Sequence, residues 1–178
     1  YLGLTPKDFD VATSAKPSEV RRLFRNSRLI GRRFRLVHVL FKKMIIEVST
    51  FRSTPVDQPP MQKGSRISQA AAQKGNTVLI RSDNTYGTPD QDVLRRDFTI
   101  NALFLDLEHE QIIDYVGGLR DLERCCIHSI GDPEIRFRED PVRMLRAIKF
   151  TAKYFFAMAI EDVHAIQKYR QDLELCSR

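Results

Sequence analysis

The sequence predicts an α+β protein, in which a mixed β-sheet with flanking helices is followed by an all-helical segment. Alternation of apolar and polar residues, which is typical of strands, recurs between residues 8 and 51. A second pair of short alternating runs lies at 103–106 and 112–115. From Gly131 onward the apolar residues recur at helical spacing instead. We therefore expect a first domain at residues 1–130 and a second at 131–178.

The composition is that of an ordinary globular chain with a basic excess. The 178 residues are 42% hydrophobic and 29% charged, with a formal net charge of +6. No apolar run reaches the length of a membrane span and no leader pattern opens the chain, so we expect a cytoplasmic protein without a membrane partner. Clusters of arginine favour a polyanionic partner. The three cysteines are odd in number and lack metal-ligand spacing, which indicates structural thiols.

Two acids and two apolar residues alternate near the N-terminus, and this stretch organises the chain. On a strand, Asp8 and Asp10 face one way while Phe9 and Val11 face the core. Paired carboxylates repel each other unless a cation lies between them, and Mg²⁺ prefers such oxygen ligands. The alternative is a solvated strand face that carries two aspartates.

A hairpin follows, with its turn at Lys42-Lys43 and its strands at 34–40 and 44–51. Glu47 interrupts an apolar strand, where a carboxylate is costly unless it is paired, so it is a candidate third acid. The alternative is an edge-strand glutamate that faces solvent. His38 is predicted to be a strand histidine with a hydrogen-bond partner rather than a catalytic base.

Helices and loops are predicted from cap residues and periodicity. A helix begins at Pro17, and Thr88 to Gln91 forms a capping box. The Pro- and Gln-rich run at 53–76 is expected to be mobile. Asp140 is expected to cap a helix over 138–148 whose apolar face carries Leu145, Ile148 and Ala152, and a last helix should cover 161–173.

Four ordered blocks resemble the class II nucleotidyltransferases of the polymerase-β-like superfamily, which include bacterial poly(A) polymerases and CCA-adding enzymes. The blocks are Asp8-Phe9-Asp10, the strand from Ile46 to Arg52, the run from Arg95 to Leu103 and the helix start from Glu139 to Arg143. The run from Leu29 to Val39 looks most like the poly(A) polymerases. The resemblance implies a nucleotidyltransferase head followed by the start of a helical neck. The family's glycine-rich segment before the first acids and its helical body after the neck lie outside this sequence.

The resemblance also implies roles for individual residues. Asp8 and Asp10 would bind two Mg²⁺ ions and Glu47 would support them. Arg95 and Arg96 would contact the nucleotide phosphates or sugar, while Asp97 and Asn101 would read the ribose hydroxyls. Asp97 has two alternatives, a further catalytic acid or an ion pair with one of the neighbouring arginines.

Asp140 and Arg143 are predicted to select the base. At positions i and i+3 of one helix they share a face, one accepting and the other donating hydrogen bonds. Adenine and cytosine both offer an amino donor beside a ring-nitrogen acceptor, whereas guanine and uracil offer the reverse. Arg146, one turn further on, joins this set of nucleotide-binding residues. The alternative is a helix cap with a salt bridge.

The function implied is a template-independent adenylyltransferase that transfers AMP from ATP to an RNA 3′ end. CCA or A addition to tRNA is the alternative within the family. A catalytically silent RNA-binding module is the alternative outside it, although Asp8, Asp10, Glu47 and Asp97 are all present. A P-loop kinase is disfavoured because the sequence has no G-x-x-x-x-G-K-[ST] motif.

Overall fold

The computed structural model describes residues 2–3, 5–6, 8–31, 35–42, 44–53 and 85–176. Packing divides the chain into two compact units, which we treat separately. Of the residues that the structure describes, those up to 53 and those at 85–92 form the N-terminal unit, and those at 93–176 form the C-terminal unit. The boundary between these packing units thus follows residue 92. The domain boundary at residue 130, which was predicted from the sequence, stays a prediction. Beyond Ser53, the run predicted to be mobile lies outside the described residues.

A four-stranded mixed sheet forms the N-terminal unit, in the order β1-β4-β3-β2. The strands are β1 (Asp10–Thr13), β2 (Ser27–Ile30), β3 (Leu36–Phe41) and β4 (Met44–Thr50), and helix α1 (Pro17–Leu23) follows β1. β1 pairs with β4 in parallel, and the other two pairs are antiparallel. The predicted mixed sheet and the β3–β4 hairpin are confirmed. β2, the outer strand beyond β3, was not predicted as a separate strand.

Fewer apolar residues of this sheet are buried than the sequence pattern predicts. Val37 and Val39 are buried against Val20 of α1. Val11 lies on the same face as Val37, since both pair with Val48, yet it is 42% exposed because β1 is an edge strand. Phe9, which precedes β1, is 52% exposed. The prediction that Phe9 and Val11 are core residues is therefore wrong, because both side chains are exposed.

The C-terminal unit combines short strands with helices. Its elements after α2 (Pro89–Val93) are β5 (Leu103–Asp106), β6 (Gln111–Asp114), α3 (Gly118–Glu123), β7 (Cys126–Ile127), α4 (Pro133–Glu139), α5 (Val142–Tyr154), β8 (Ala157–Met158) and α6 (Ile160–Tyr169), with 3₁₀ helices at Thr99–Asn101 and Arg170–Leu175. The predicted β5–β6 hairpin is confirmed. Phe98, Ile127 and Ala147 centre one core cluster, while Phe137 and Met144 centre another.

Two features of this unit differ from the sequence-based expectation. The segment after Gly131 is not purely helical, because β8 pairs with β7 in parallel. Helix α3 begins at Gly118, where only a chain break was predicted; a side chain there would collide with the Thr99 carbonyl.

In the described part of the chain, no helix is long and apolar enough to cross a membrane.

The buried face of α5 is also not the predicted one. Leu145 and Ile148 are about half exposed, at 51% and 50%, and Ala152 is exposed as well. The face that packs inward carries Arg143, Met144 and Ala147. Helical periodicity identified an apolar stripe, but the guanidinium of Arg143 turns inward, where it contacts Asp97, Glu139 and the Arg136 carbonyl on other elements.

Candidate active site

A row of polar residues crosses the N-terminal sheet from strand to strand. Asp10 of β1 pairs with Glu47 of β4, Glu47 pairs with His38 of β3, and His38 pairs with Arg28 of β2. Register partners on neighbouring strands point to the same face of a sheet, about 5 Å apart. The row therefore lies on the face opposite Val37, and Asp10 and Glu47 are both exposed there. Asp8 is exposed too, two residues before Asp10 and outside the strand.

Side-chain hydrogen bonds join the segment of β1 to the neighbouring strand β4. The Thr50 hydroxyl donates to the carbonyl of Ala15 at 2.7 Å, just beyond β1. The Ser49 hydroxyl donates to the Val11 carbonyl at 3.4 Å. These two contacts support the parallel β1–β4 pairing, on which the register of Asp10 and Glu47 depends. After β4, the backbone N–H of Arg52 donates to Oδ1 of Asp92 at 3.0 Å.

His38 and Glu47 are in direct contact. Nε2 of His38 lies 3.0 Å from Oε1 of Glu47, and their side chains are 24% and 50% exposed. The predicted hydrogen-bond partner of His38 therefore exists, and it is the candidate third acid. Glu47 does not lie on an edge strand, since β4 has a neighbour on both sides.

The donor chemistry of the acid row suits a divalent cation. Exposed carboxylate oxygens on one sheet face match the hard oxygen ligands that Mg²⁺ takes. Within the described ranges, no three His, Cys, Asp or Glu side chains come close enough together to form a preassembled metal site. The chemistry of the acids thus fits Mg²⁺, while the closed ligand set is not formed by these residues alone.

In the C-terminal unit, the Asp97 carboxylate lies between two guanidinium groups. Nε of Arg143 donates to Oδ1 at 2.7 Å. Nε of Arg146 lies 2.8 Å from Oδ2, but its N–H does not point at that oxygen, so this contact is an ion pair only. The predicted alternative in which Asp97 pairs with Arg95 or Arg96 is replaced by pairing with these two residues of α5.

Arg143 is the most enclosed charge of this network. Its residue is 7% exposed, and Nη1 donates to Oε2 of Glu139 at 3.0 Å and to the Arg136 carbonyl at 2.9 Å. Arg136 also donates to Oε2 of Glu139, at 2.8 Å. Burial lowers the pKa of Arg136 and the nearby charge of Arg143 lowers it further, while Glu139 and Asp97 oppose both effects. Two carboxylates therefore neutralise a compact group of arginines.

Asp140 does not share a helix with Arg143, contrary to the prediction. It ends α4, and its Oδ1 accepts the N–H of Val142, the residue before Arg143, at 3.2 Å. Its Oδ2 accepts Nη2 of Arg146 at 3.0 Å, so its guanidinium partner is Arg146. The predicted helix cap is wrong, because the N-cap of α5 is Pro141 and Asp140 is the C-cap of α4. Asp140 and Arg143 therefore do not share an i, i+3 helix face.

The Arg95 to Asn101 segment is held mainly through its backbone. Nη2 of Arg136 donates to the carbonyls of Arg95 and Arg96 at 2.8 and 2.7 Å. Nη1 of Arg96 donates to the Asn101 carbonyl at 2.9 Å, and its guanidinium lies over the Phe104 ring. Asn101 itself is exposed. This segment therefore presents its side chains from a fixed main chain.

Two residues that shape these groups were not selected from the sequence. Arg136 was seen only as part of a basic cluster, and nothing local shows that it binds the backbone of Arg95 and Arg96. The partnership of His38 with Glu47 has a usable signal. Counting back equally from the two-residue turn at Lys42 places His38 opposite Glu47.

The fold is that of solved CCA-adding enzymes. The crystal structure of the Bacillus stearothermophilus CCA-adding enzyme in complex with CTP matches 99% of this chain and 38% of that one, with a TM-score of 0.79 and 32% identity. The family described as the poly(A) polymerase head domain matches residues 1–128. The chain belongs to that family.

Curated relatives of two kinds are similar to the chain. Poly(A) polymerase I of Salmonella typhi is 47% identical over 167 residues, which are 94% of this chain and 34% of the relative. The CCA-adding enzyme of Bacillus pumilus is 37% identical over 167 residues, 94% of this chain and 37% of the relative. The chain thus spans about a third of the length of the curated relatives that it matches.

Proposed function

We propose that the protein is a template-independent RNA adenylyltransferase. The RNA 3′-hydroxyl oxygen would attack the α-phosphorus of ATP and lose its proton, while the bond to the β-phosphate oxygen breaks and pyrophosphate leaves. The supporting observation is the 47% identity to a poly(A) polymerase I, against 37% to a CCA-adding enzyme over an equally long stretch. The basic net charge of +6 suits an RNA partner.

Asp8 and Asp10 are the residues proposed to hold two Mg²⁺ ions, with Glu47 as a supporting acid. The bound ions would supply Lewis-acid activation and charge neutralisation at the phosphates. The chain's own contribution is to hold Asp10 and Glu47 side by side on rigid parallel strands. Their exposure keeps both carboxylates accessible, which a buried acid pair would not be.

The Asp97–Arg143–Arg146–Asp140 network is proposed to select the base and position the nucleotide. Arg143 uses Nε and Nη1 for contacts inside the described chain, and Arg146 holds Asp140. A guanidinium fixed on two nitrogens presents its remaining N–H groups in one direction, which favours a single base edge. Asp97 is proposed to orient these arginines. Arg95, Arg96 and Asn101 would contact the phosphates and ribose.

Nucleotide addition to tRNA ends is the second candidate. The structural match with a TM-score of 0.79 is to a CCA-adding enzyme bound to CTP. This activity would need the base-reading group to accept cytosine as well as adenine. Both bases offer the same pattern of one donor beside one acceptor, so the products must distinguish the two candidates.

Product analysis with the full-length protein tests both candidates. The protein is incubated with Mg²⁺, each single nucleoside triphosphate, and either a 5′-labelled unstructured RNA or a tRNA that lacks its 3′ end. Long ladders with ATP alone on the unstructured RNA support adenylylation. Addition of only two or three nucleotides, confined to tRNA and requiring CTP, supports the second candidate. No extension under any condition, with retained RNA binding, would identify a silent binding module.

A further inference from the structure

We propose that His38 is a positioning residue that holds Glu47 in the orientation that the acid row requires. This inference rests on the proposed function, because it assigns Glu47 its supporting part beside Asp10. His38 itself would touch neither substrate nor the reacting atoms. Its whole effect would pass through the carboxylate of Glu47.

The strand order determines in which direction the His38–Glu47 contact orients the carboxylate of Glu47. β4 lies between β1 and β3, so Glu47 has Asp10 on one side and His38 on the other. His38 binds Oε1 at 3.0 Å. Because one carboxylate oxygen is held on the β3 side, the side-chain torsions are restricted and the other oxygen is presented away from His38. The side away from His38 is the side of Asp10.

Hydrogen-bond chemistry defines the state of the imidazole. An ionised carboxylate only accepts hydrogen bonds, so Nε2 of His38 must carry the proton in this contact. A donor behind a site carboxylate fixes that carboxylate and its basicity, and loss of such an outer partner typically lowers activity roughly 10- to 100-fold. Nothing in this role requires the imidazole to change charge during the reaction.

Exposure distinguishes this role from a merely structural one. His38 is 24% exposed and Glu47 is 50% exposed, so the pair is well solvated and contributes little to stability. A structural pair of this kind would affect the melting temperature slightly and the rate not at all. A positioning pair would affect the rate and leave the melting temperature almost unchanged.

The variants separate the two roles and include a matched control. H38Q keeps a side-chain N–H donor close to the place of Nε2, whereas H38L removes the donor and keeps the bulk. The control is H109L, because Nδ1 of His109 contacts Oδ2 of Asp106 at 2.7 Å in another solvent-accessible His–carboxylate pair, which lies outside the acid row. We expect kcat for AMP addition to fall roughly 10-fold or more in H38L. H38Q should recover most of the rate, and H109L should match the wild type.

A double-variant cycle tests whether His38 acts through Glu47. In an E47Q background, H38L should cause no further loss of kcat, since the carboxylate that it orients has been removed. Equal losses in both backgrounds would overturn the inference. Wild-type kcat in H38L would overturn it as well. A wild-type protein that extends no RNA would instead refute the proposed function, so the two failures are distinguishable.

A measurement that does not use activity completes the test. Long-range ¹H–¹⁵N spectra of the metal-free full-length protein at pH 8 report which imidazole nitrogen carries the proton. We expect the Nε2–H form for His38 in the wild type and a mixture of forms in E47Q. A neutral Nδ1–H form in the wild type would leave Nε2 without a proton to donate, and it would contradict the inference.

Discussion

The acidic side chains of the two units have opposite environments: they are open to solvent in one unit and paired with arginine in the other. Asp8 and Asp10 of the N-terminal unit are exposed on or beside an edge strand, and Glu47 bonds only partly to a histidine. In the C-terminal unit, Asp97 and Glu139 are enclosed by guanidinium groups. Acids left open to solvent can take up a cation from outside, whereas acids already matched by arginine serve to place those arginines. The same type of side chain, a carboxylate, thus suits different roles in the two units.

Removal of an open acid should have the largest effect in the molecule, and it should be confined to activity. We expect Asp10→Ala or Asp8→Ala in the full-length protein to lower the rate of AMP addition roughly 10³-fold or more, since a positioned charge at the phosphates is lost. The melting temperature should stay near that of the wild type, because both side chains are exposed. Gel-based single-turnover rates and thermal unfolding measure the two quantities. A double variant with near-normal rates would refute the assignment.

Removal of an enclosed arginine should affect both stability and selection. Arg143→Ala removes the most enclosed partner of Asp97 and Glu139, which keep Arg146 and Arg136 respectively, so we expect the free energy of unfolding to fall by roughly 1–3 kcal/mol. Discrimination between ATP and GTP should shrink by about 1–3 kcal/mol. Arg146→Ala is the matched variant and should destabilise less, since Arg146 is more exposed. Denaturant titration and kcat/KM for both nucleotides test this; an unchanged ratio beside a lowered stability would make Arg143 purely structural.

Asp114 should affect stability without affecting activity. Burial acts to raise its pKa, but backbone N–H groups of Leu119, Gly118, Val116 and Gly117 outweigh burial and lower it from the ordinary value of 3.8. Since the folded-state pKa lies below the unfolded one, the stabilisation is present above pH 3.8 and is lost as pH falls through the folded pKa. We expect Asp114→Asn to cost about 1–3 kcal/mol at pH 7.

The pH dependence provides the control for Asp114. The difference in unfolding free energy between the wild type and Asp114→Asn should narrow as pH falls below 3.8. Chemical denaturation between pH 2.5 and 7 measures it. A difference that widens toward low pH would have the wrong sign for a lowered pKa.

Asp162 should show the smallest effect and the opposite sign. It is fully buried and accepts hydrogen bonds from the Ser129 hydroxyl and, at 3.2 Å, from the Ser129 N–H. Burial raises its pKa despite those bonds, so ionisation disfavours the folded state. Its stabilisation is therefore full below the unfolded pKa and declines as pH rises toward the folded one. We expect Asp162→Asn to change stability at pH 7 by about 1 kcal/mol or less, because the amide can still bond Ser129. A large loss at pH 7 would show that the ionised form is required.

The sequence predicted the parts of the fold that local pattern determines. The β3–β4 and β5–β6 hairpins follow from alternation around turns, and α1 and α2 begin at the predicted prolines. At α2, the N–H of Thr88 donates to Oε1 of Gln91 at 3.2 Å, as the capping pattern indicates. The two-residue strands β7 and β8 were missed because they depend on tertiary contacts, whereas α4 lies in the segment predicted to be helical and begins at a local cap, Asp132 followed by Pro133.

In the candidate site, too, local pattern predicted some contacts, and tertiary packing decided the others. The facing of His38 and Glu47 could be predicted because strand period and turn length set the register within one hairpin, whereas the register of Asp10 with Glu47 depends on the long-range pairing of β1 with β4. The partners of Asp97, Arg143 and Asp140 could not be assigned, because periodicity does not say which face of α5 meets another element. The sequence favoured a stripe at Leu145 and Ile148, whereas the buried side is decided by carboxylates of other segments.

The parallel pairing of β1 with β4 has a consequence for how the acid row is assembled during folding. His38 and Glu47 are 9 residues apart and meet within one hairpin, whereas Val11 and Ser49 are 38 residues apart. Closing the shorter loop costs less chain entropy, so the hairpin forms before β1 docks on it. Strand β1, which precedes the hairpin in the chain, therefore joins it after the hairpin has formed. The His38–Glu47 contact can exist before Asp10 is in place, and the acid row is complete only once β1 has docked.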